Sequence, residues 1–526
     1  MYTYIMMNRL WQSLGLDESN MNDQQKIGYL IREIRQSKGV TQQQFANALA
    51  TSQSAVARME KGDQNFSVKE LSKISQALEH PLVTISDNVT DDYIIKGGQK
   101  LSGSIATNTS KNGGLVLMCA SLLNRGTTIL HRIPRIQEIF RMIEVFESID
   151  IEVKWINEKS LKITPPKELN MSGLAQGPAS KMRSVIMLIG SLIHRVDDLR
   201  LPHAGGCRMG DRTISAHRKG LEGFGVSIVT EEDSYHITAA NLQAAKITMY
   251  EASDTGTENV LMAAAGIKDS SYIHFATQNY MVQDLMGFLR KIGVKIEQTD
   301  PITLKVTGVG VVDMDVEYSN SEDPIESMAF LTAGIVTNSK MTVTGCPIDF
   351  LRLELLKCEA MGQKFTISNK RFSDNGFTKL VDIDVHPSEL TALAEKIHPL
   401  PYPGINVDNL PFFVPIATQA EGRTLIHDWM WENRAIYFTE LNRLGAQVDL
   451  ADPHRAYIQG KTPLRAAQIV CPPALRPSVI ILLAMMAAEG TSTLRNVYSI
   501  KRGYEAIDER LNAIGADIRN VSSLTG

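Results

Sequence analysis

The sequence predicts a two-part α/β protein, in which a small all-helical module precedes a larger body built from six repeats of helix and strand. Two observations lead to this prediction. Helical periodicity with capping residues fills residues 24–80, and one helix–turn–strand pattern recurs six times after residue 92. The length of 526 residues agrees with it, because chains of this size usually form two or three domains.

Composition and charge exclude several classes of protein. Apolar residues make up 43% and charged residues 21% of the chain, which excludes a wholly disordered protein. The formal charge of −4 excludes a general basic coat for nucleic acid, but not a small DNA-binding module. Five scattered cysteines without a CxxC pair argue against a zinc ribbon and favour a reducing compartment. Because neither a signal peptide nor an apolar run of membrane length occurs, we expect a cytoplasmic protein without a membrane partner.

The helical module is expected to follow an N-terminal extension (1–23) and to end at a linker (81–92). Thr41 and Gln44 form a capping box at the start of one helix, and Ser67 and Glu70 form another. The apolar residues at helical spacing predict four or five short helices around a small core. Those expected to point inward are Ile27, Leu30, Ile31, Ile34, Phe45, Leu49, Val56, Met59, Leu71, Ile74 and Leu78.

The string GVTQQQFANALATSQSAVARMEKG resembles the helix-turn-helix of lambda-repressor-like regulators, in which the second helix of the pair enters the major groove. The resemblance implies that Gln53, Ser54 and Arg58 lie near bases, and that Gln42 and Gln43 lie near phosphate. Residues 1–90 carry nine Lys and Arg against nine Asp and Glu, whereas a DNA-binding protein usually has a basic face. A protein–protein or dimerisation role is therefore the alternative to DNA binding.

Six copies of one pattern organise the body. An amphipathic helix leads into a small turn and a short alternating strand in FESIDIEV, LEGFGVSI, LRKIGVKI, CEAMGQKF, LNRLGAQV and LNAIGADI. The turn positions, at steps of 75, 68, 69, 83 and 70 residues, are Asp150, Gly225, Gly293, Gly362, Gly445 and Gly515. Glycine suits the left-handed position that follows a helix, and alternation suits a half-buried strand. Six such units predict two similar α/β domains with a cleft between them.

Seven ordered strings in about residues 92–526 resemble the enolpyruvyl transferases. They are GGQKLSGSIATNTSKNGG, SKMRS, AGGCRMGDR, SEDPIESMAFLTAG, PYPGINVD, WENR and RGYEAIDERLNAIGAD. The resemblance implies a two-domain inverted α/β barrel of six repeats that closes over substrate. It places the body at 93–526, with one lobe at about 111–321 and the other at about 93–110 plus 322–526.

The resemblance also implies a reaction. Family members move the enolpyruvyl group of phosphoenolpyruvate onto a hydroxyl. The branch with a cysteine in the AGGC loop uses a nucleotide sugar, UDP-N-acetylglucosamine, in peptidoglycan precursor synthesis. Such a site needs a general acid, a base near the hydroxyl, and cations for phosphate and carboxylate. No metal or organic cofactor is implied.

Four residues are implied to carry the chemistry. Cys207 would be the general acid, and cations beside it would favour its thiolate. Asp323 would accept the proton of the acceptor hydroxyl. Lys111 and Arg434 would hold the charge of phosphoenolpyruvate, because guanidinium and ammonium groups bind phosphate and carboxylate.

Further residues are implied to bind substrate. Asn112 would bind the sugar, Arg212 would bind phosphoenolpyruvate, Arg183 would contact the nucleotide-sugar side, and Asp408 would lie near the closing cleft. The alternative for the arginines is surface ion pairing. For Glu326, three residues after Asp323, we favour a capping carboxylate.

The chain departs from the family where nucleotide contacts are expected. Thr213, Ile214 and Ser215 stand where family members usually have Pro-Val-Asp, and we still expect these positions to contact substrate. The acceptor is therefore either UDP-N-acetylglucosamine or another nucleotide sugar. The alternative to an enzyme with a DNA-binding module is a metabolite-sensing regulator whose body is inactive or has another acceptor. The oligomeric state, a homodimer included, and the operator remain open.

Overall fold

The structure is a computed structural model that describes residues 89–203, 205 and 213–524 of the body. In the amino-terminal module it describes 40–49, 51–64 and the single positions 24, 28, 29, 31, 32, 35, 36, 38, 66, 70, 73, 74, 77 and 78. The chain divides into two compact units, Met1–Val89 with Leu524–Gly526, and Thr90–Ser523. The predicted extension 1–23 and the predicted capping residue Ser67 lie outside the described residues, as do the predicted core residues Ile27, Leu30, Ile34 and Leu71.

Two helices of the amino-terminal unit, Gln42–Ala48 and Gln53–Lys61, have the predicted caps. The Thr41 side chain accepts a hydrogen bond from Gln44 N at 3.2 Å, and Gln44 Oε1 accepts one from Thr41 N at 2.9 Å, which completes the capping box. Ser52 caps the second helix, and Gly62 ends it in the left-handed conformation. These caps satisfy amide groups that have no partner inside either helix.

A small apolar cluster holds this unit together, and it contains the predicted core residues that the structure describes there. Its buried members are Ile31, Phe45, Ala46, Val56, Met59, Ile74 and Leu78, with Leu49 packed against them. Beside it Arg35 and Glu60 form a buried ion pair with Nε–Oε1 at 2.5 Å, and Gln42 donates to Glu60 at 2.8 Å. The cluster and the hydrogen bond from Gln42 to Glu60 join the two helices to each other.

In the described residues the body contains six small sheets. Three lie in the first half of the body, and their strands in spatial order are Val316–Ser319, Thr128–His131, Leu161–Thr164 and Glu152–Trp155; Asp198–Pro202, Ser234–Thr238 and Ser227–Thr230; and Lys295–Asp300, Thr303–Thr307, Ser270–His274 and Lys246–Thr248. The other three consist of Lys364–Phe372, Lys379–His386, Met341–Pro347 and Ser104–Ala106; Leu390–Thr391, Ala420–His427, Arg455–Gly460 and Gln447–Asp452; and Gln468–Val470, Thr491–Arg495, Val89–Lys96 and Ile518–Leu524.

The sheets share one pairing pattern. Thr128–His131 pairs in parallel with Val316–Ser319 and antiparallel with Leu161–Thr164, which pairs antiparallel with Glu152–Trp155. The same order of one parallel and two antiparallel pairings recurs around the strands that begin at 270, 341 and 420. The repeat predicted from the sequence is therefore a repeated sheet.

The linker prediction was wrong at its end. The strand Val89–Lys96 begins inside the predicted linker 81–92. The polar residues Asp91 and Asp92 concealed the strand, because they join the sheet through acceptors rather than apolar side chains. Asp91 O accepts a hydrogen bond from Val497 N, and Asp92 Oδ1 accepts one from Asn496 N, both at 2.8 Å.

All six predicted turn positions have the left-handed conformation. The five glycines have φ between 86° and 104°, and Asp150 has φ 66°. Each turn ends an outer helix, namely Gln137–Ser148, Ser215–Glu222, Tyr280–Lys291, Arg352–Ala360, the 3-10 helix Ala435–Leu444 and Ile507–Asn512. The fifth copy differs from the others because its helix is of the 3-10 type.

A second set of helices forms the core. They are Lys111–Ser121, Ile189–Leu192 with the 3-10 helix Arg183–Leu188, Asp254–Ala265, Pro324–Val336, Phe413–Gln419 and Leu475–Ala487. Every residue of Pro324–Val336 is buried, as expected for a helix that is apolar all round. The remaining short elements are the helices Gln176–Ser180 and Tyr498–Lys501 and the 3-10 helices Met171–Gly173, Ile348–Phe350 and Leu410–Phe412. None of the described helices combines the length and the apolarity that a membrane span requires.

The chain passes twice between two groups of three sheets. Strand Ser104–Ala106 pairs with Met341–Pro347, although helix Lys111–Ser121, which follows it, packs against Tyr280–Lys291. Strand Val316–Ser319 pairs with Thr128–His131, although helix Pro324–Val336 packs against Leu475–Ala487. We call residues 111–319 the first lobe, and residues 89–106 with 324–524 the second. The crossover segments 107–110 and 320–323 join the two lobes.

Candidate active site

The two crossovers pair with each other. Thr109 and Glu322 form an antiparallel bridge, Ser110 N donates to Ser321 O at 2.7 Å, and Asp323 N donates to Asn108 O at 2.9 Å. The paired crossovers therefore bring Lys111 and Asp323 to the same point between the lobes.

Lys111 and Asp323 meet at that point. Lys111 begins the first core helix, and Asp323 caps helix Pro324–Val336. Asp323 Oδ2 accepts a hydrogen bond from Lys111 N at 3.4 Å, and Oδ1 accepts one from Ile325 N at 2.8 Å. Burial raises the pKa of Asp323, Glu326 raises this pKa further, and Arg476 opposes the shift.

The Lys111 side chain enters a buried cluster of charges. Its Nζ donates to Glu138 at 2.8 Å, and Arg502 from the second lobe donates to the other Glu138 oxygen at 2.6 Å. Burial alone would raise the pKa of Glu138, but the two cations bring this pKa down to about 2. Two cations from opposite lobes thus converge on one carboxylate, an arrangement that can also hold a substrate anion.

Asn112 lies next to Lys111 and donates to Tyr280 Oη at 3.0 Å. Tyr280 is buried at the start of its helix, and burial raises its pKa, with Asp323 and Asp408 adding to the shift. Asn112 thus links the start of the first core helix to the start of helix Tyr280–Lys291.

Asp408 stands between two arginines of the second lobe. Arg476 Nη2 donates to Asp408 Oδ2 at 3.3 Å, and Arg434 Nη1 lies 3.8 Å from Oδ1. Glu354 fixes the segment around Asp408, because its Oε1 accepts hydrogen bonds from Asn406 N and Asn409 Nδ2, both at 3.0 Å. The Asp408 side chain is 27% exposed, and the two residues before it in the chain that line the cleft are Asn406 and Val407.

Arg434 is completely buried but only partly hydrogen-bonded. Its Nε donates to Asp428 Oδ2 at 2.5 Å, whereas neither Nη1 nor Nη2 has a hydrogen-bond acceptor among the described residues. A buried donor without an acceptor is costly, so such groups usually await a ligand or water. The binding of a substrate anion by Arg434 stays a prediction, and the two nitrogen atoms of its guanidinium end are the donors that it would use.

Glu326 links the first crossover segment to the last repeat. Its Oε2 accepts a hydrogen bond from Asn108 N at 2.5 Å, and Arg510 donates to Oε1 at 2.7 Å. Glu326 thus fixes the first crossover, which is a structural role like the one that the sequence favoured.

The remaining predicted substrate residues lie on another part of the first lobe. Arg183 Nη2 donates to Thr213 O at 2.8 Å, Ile214 is buried, and Ser215 begins helix Ser215–Glu222. Burial, with Arg183 adding to the effect, lowers the pKa of the neighbouring His217 to about 3. Cys207 and Arg212 lie outside the described residues.

A cleft of about 470 Å³ opens between the lobes. Its walls include Asp254 and Asn279 from the first lobe and Phe350, Tyr402, Asn406 and Val407 from the second. Asn279 Nδ2 donates to Asp254 Oδ2 at 2.8 Å, and burial raises the pKa of Asp254. The volume is within the range of small-molecule sites, about 300–1,000 Å³.

Comparison with known proteins settles the family. The family model described as EPSP synthase (3-phosphoshikimate 1-carboxyvinyltransferase) matches residues 95–511. The chain belongs to the enolpyruvyl transferase family. A second model, described as helix-turn-helix, matches residues 31–83 of the transferase.

The transferase has curated relatives of similar length. It is 32% identical over 431 residues to a UDP-N-acetylglucosamine 1-carboxyvinyltransferase of Bradyrhizobium diazoefficiens, a match that covers 82% of this chain and 98% of the relative. It is 30% identical over 436 residues to UDP-N-acetylglucosamine 1-carboxyvinyltransferase 1 of Symbiobacterium thermophilum, covering 82% of this chain and 95% of the relative.

Solved structures confirm the predicted fold. The enolpyruvyl transferase NikO from Streptomyces tendae matches with a TM-score of 0.69 at 22% identity, over 82% of this chain and 99% of that one. EPSP synthase from Acinetobacter baumannii matches with a TM-score of 0.64 at 17% identity, over 82% of this chain and 99% of that one. The body of the transferase is therefore the inverted α/β barrel that the sequence predicted.

In the helix-turn-helix of the transferase, the predicted DNA-contact residues differ in how exposed they are. Gln53, Ser54 and Arg58 are exposed on the second helix, opposite its buried residues. Gln43 is exposed and donates to Asn47 at 3.1 Å. Gln42 is half-buried, with its amide nitrogen bound to Glu60.

Sequence reasoning missed three groups of this transferase site. They are Glu138, which binds Lys111, Arg502, which binds the other oxygen of Glu138, and Arg476, which binds Asp408. Arg476 could have been found, because it is the lone charged residue in the apolar helix LRPSVIILLAMMA. Arg502 lies in the string RGYE, which carried the resemblance. Glu138 gave no signal, because it looks like an exposed carboxylate in the first turn of an amphipathic helix.

Proposed function

We propose that this enolpyruvyl transferase moves the enolpyruvyl group of phosphoenolpyruvate onto a hydroxyl of UDP-N-acetylglucosamine, with release of phosphate, in peptidoglycan precursor synthesis. The observation that carries the proposal is the meeting of Lys111 and Asp323 at the paired crossovers, with Asn112 next to Lys111 in the same helix. The names of relatives at 30–32% identity support UDP-N-acetylglucosamine as acceptor.

The proposed reaction is an addition followed by an elimination. A proton adds to the terminal carbon of phosphoenolpyruvate while the acceptor oxygen bonds to the neighbouring carbon and the hydroxyl proton passes to a base. Loss of phosphate and of one proton from the new methyl group then restores the double bond. Cys207 is the proposed acid, and Lys111, Arg212 and Arg434 are the proposed anion-binding groups.

The geometry favours Asp408 over Asp323 as the base. Both Asp323 oxygens already accept backbone hydrogen bonds, one from Lys111 and one from Ile325. This carboxylate therefore holds together the starts of the two core helices that follow the crossovers. Asp408 is the more exposed of the two carboxylates. We therefore propose that Asp408 takes the hydroxyl proton and that Asp323, the base predicted from the sequence, positions Lys111 and its neighbours.

Mass spectrometry of the reaction products tests the transfer and its acceptor together. The protein is incubated with phosphoenolpyruvate and UDP-N-acetylglucosamine, and in parallel with UDP-glucose and UDP-galactose. We expect the mass of an enolpyruvyl group to be added to UDP-N-acetylglucosamine. Transfer to another sugar would overturn the proposed acceptor, and no transfer to any of them would overturn the enzyme in favour of the metabolite-sensing regulator.

We also propose that residues 24–80 bind DNA, because the second helix exposes Gln53, Ser54 and Arg58 together while its other side is buried. Gln53 and Ser54 begin that helix, which is the end that contacts bases in helix-turn-helix proteins. The proposed phosphate contacts are Gln42 and Gln43. We propose that the protein acts in the cytoplasm, because its five scattered cysteines favour a reducing compartment.

A genomic-fragment selection followed by gel-shift titration tests DNA binding. Arg58→Ala should weaken binding of a selected fragment by about 1–3 kcal/mol if Arg58 contacts a base. Lys370→Ala, on an exposed strand of the body, is the control. Recovery of no enriched fragment would overturn the DNA role and leave dimerisation, which sedimentation of the full chain would then measure.

A further inference from the structure

One hairpin of the second lobe is longer than its counterparts. Its strands, Lys364–Phe372 and Lys379–His386, have nine and eight residues. The matching hairpins of the first, second, third and fifth repeats have strands of four to six residues. The hairpin lies in the longest sequence step, the 83 residues from Gly362 to Gly445. Its added length carries residues 373–378, which we call the hairpin tip, away from its own sheet.

The hairpin tip is anchored on the first lobe. Asn375 Nδ2 donates to the buried Asp284 at 2.9 Å, and Arg132 Nη1 donates to Asp374 Oδ2 at 3.1 Å. Phe377 packs over Gly287, where a Cβ atom would lie only 2.8 Å from Phe377 Cε1. The tip therefore crosses from one lobe to the other and is held there by several contacts.

The tip is also internally ordered. Asn375 Oδ1 accepts hydrogen bonds from Phe377 N at 3.2 Å and from Thr378 N at 3.0 Å, and Asn375 Nδ2 donates to Thr378 Oγ1 at 2.8 Å. Such a closed network presents Phe377 in one position. A side chain held in this way can bind a ligand without a further cost of ordering.

Phe377 and its neighbours form one wall of the interlobe cleft. Phe377 is 37% exposed, and Lys379 lies next to it on the same wall. Lys379 Nζ lies 3.2 Å from one oxygen of Asp349, and Arg352 donates to the other at 2.8 Å. Both cations are well exposed, so this wall combines an accessible aromatic ring with two exposed cations that share one carboxylate.

We propose that the hairpin tip forms part of the acceptor site, with the Phe377 ring stacking on the base of a nucleoside diphosphate sugar and with Lys379 and Arg352 beside its diphosphate. This inference rests on the proposed function and names the residues that select its acceptor. An aromatic ring stacks on any base, and cations bind a diphosphate. The predicted nucleotide contacts Thr213, Ile214 and Ser215 are absent from the described lining of this cleft.

Binding of UDP alone tests the proposal by isothermal titration calorimetry. Phe377→Ala should raise the Kd for UDP about tenfold. Phe377→Leu keeps the apolar contact with Gly287 but removes the ring, and we expect a similar rise. Phe372→Ala is the matched control, because Phe372 lies on the same hairpin, is 62% exposed and is not part of the described cleft lining.

Kinetics then separate the acceptor from phosphoenolpyruvate. Phe377→Ala and Phe377→Leu should raise the KM for the nucleotide sugar and leave the KM for phosphoenolpyruvate unchanged, while Phe372→Ala changes neither. Thermal melting of each variant confirms that it is folded.

Two results would overturn the inference. The first is a parent protein that does not bind UDP, and the second is a pair of Phe377 variants that bind UDP as tightly as Phe372→Ala does. A parent that binds UDP but transfers nothing would overturn the proposed function alone, because the Kd values would still decide the role of Phe377.

Discussion

At the scale of single residues, several buried charges near the cleft lie against groups of opposite charge. Glu138 has Lys111 and Arg502, and Arg434 has Asp428. Burying an unpaired charge is far more costly than burying a pair. Arg434 is an exception, because its Nη1 and Nη2 have no acceptor among the described residues, and a bound substrate anion would supply one.

Glu138→Gln should destabilise the fold near neutral pH, because it leaves two buried cations without their carboxylate. The cost of breaking such a pair is about 3 kcal/mol. The pKa of Glu138 in the fold, about 2, lies below its ordinary value of 4.5. Its contribution is thus complete above pH 4.5 and is lost as the pH falls towards 2.

Urea unfolding of the parent and Glu138→Gln from pH 7 to pH 3 measures this contribution. The gap between their midpoints should be widest at pH 7 and should narrow below pH 4.5. Glu152→Gln is the control, because Glu152 is exposed and pairs only with Lys154 among the described ion pairs. A gap that is constant over this range would contradict the account of Glu138.

The two cleft carboxylates should differ in their effect on turnover. Asp408→Asn removes the proposed base and should lower the rate of phosphate release by about 10²–10⁴-fold. Asp323→Asn keeps a side chain that can cap a helix, so its loss should be less than tenfold. A larger loss in Asp323→Asn than in Asp408→Asn would return the role of base to Asp323.

At the scale of elements, the left-handed turns fix where each outer helix gives way to its strand. Gly293 has φ 101°, and a Cβ atom there would touch only Val309, at an ordinary 3.7 Å. Gly293→Ala should therefore cost about 1–2 kcal/mol through backbone strain alone.

Gly177→Ala is the matched control for this turn. Gly177 lies in helix Gln176–Ser180 with no atom within 4 Å of a new Cβ, so alanine should be neutral or slightly stabilising. Equal melting temperatures for the two variants would show that the left-handed turn does not contribute to stability.

The capping box of the helix-turn-helix offers a second test at this scale. Thr41→Ala removes the acceptor for Gln44 N and should cost about 1 kcal/mol in the amino-terminal unit. Thr51→Ala, an exposed threonine between the two helices, is the control. Chemical denaturation followed by amide exchange of residues 42–48 measures the difference, and equal protection in both variants would contradict the cap.

At the scale of the whole molecule, the repeated elements could be predicted from the sequence, whereas contacts between residues far apart in the chain could not. The six turns, the core positions of the small module and the residues Lys111 and Asp323 follow from local spacing or from matched strings. Glu138 and Arg502 could not be predicted as a pair, because they are 364 residues apart and meet only when the lobes pack. The strand at 89–92 was missed for a similar reason, since its partners lie near residue 496.

The crossovers explain why the site lies where it does. Each lobe takes one strand from the chain segment that leads into the other lobe, so the two connections must lie side by side. Lys111 follows the first crossover and Asp323 ends the second, and the two residues are in contact. We propose that transfer occurs at this point, because both lobes meet there.

The most direct test of this account is the release of phosphate from phosphoenolpyruvate by the full chain, measured with and without UDP-N-acetylglucosamine, in the parent and in Lys111→Ala. We predict release that requires both substrates and falls at least 100-fold in the variant, about the loss expected for one preorganised cation. Release that is independent of the nucleotide sugar, or that persists in Lys111→Ala, would contradict the assignment of the paired crossovers as the transferase site.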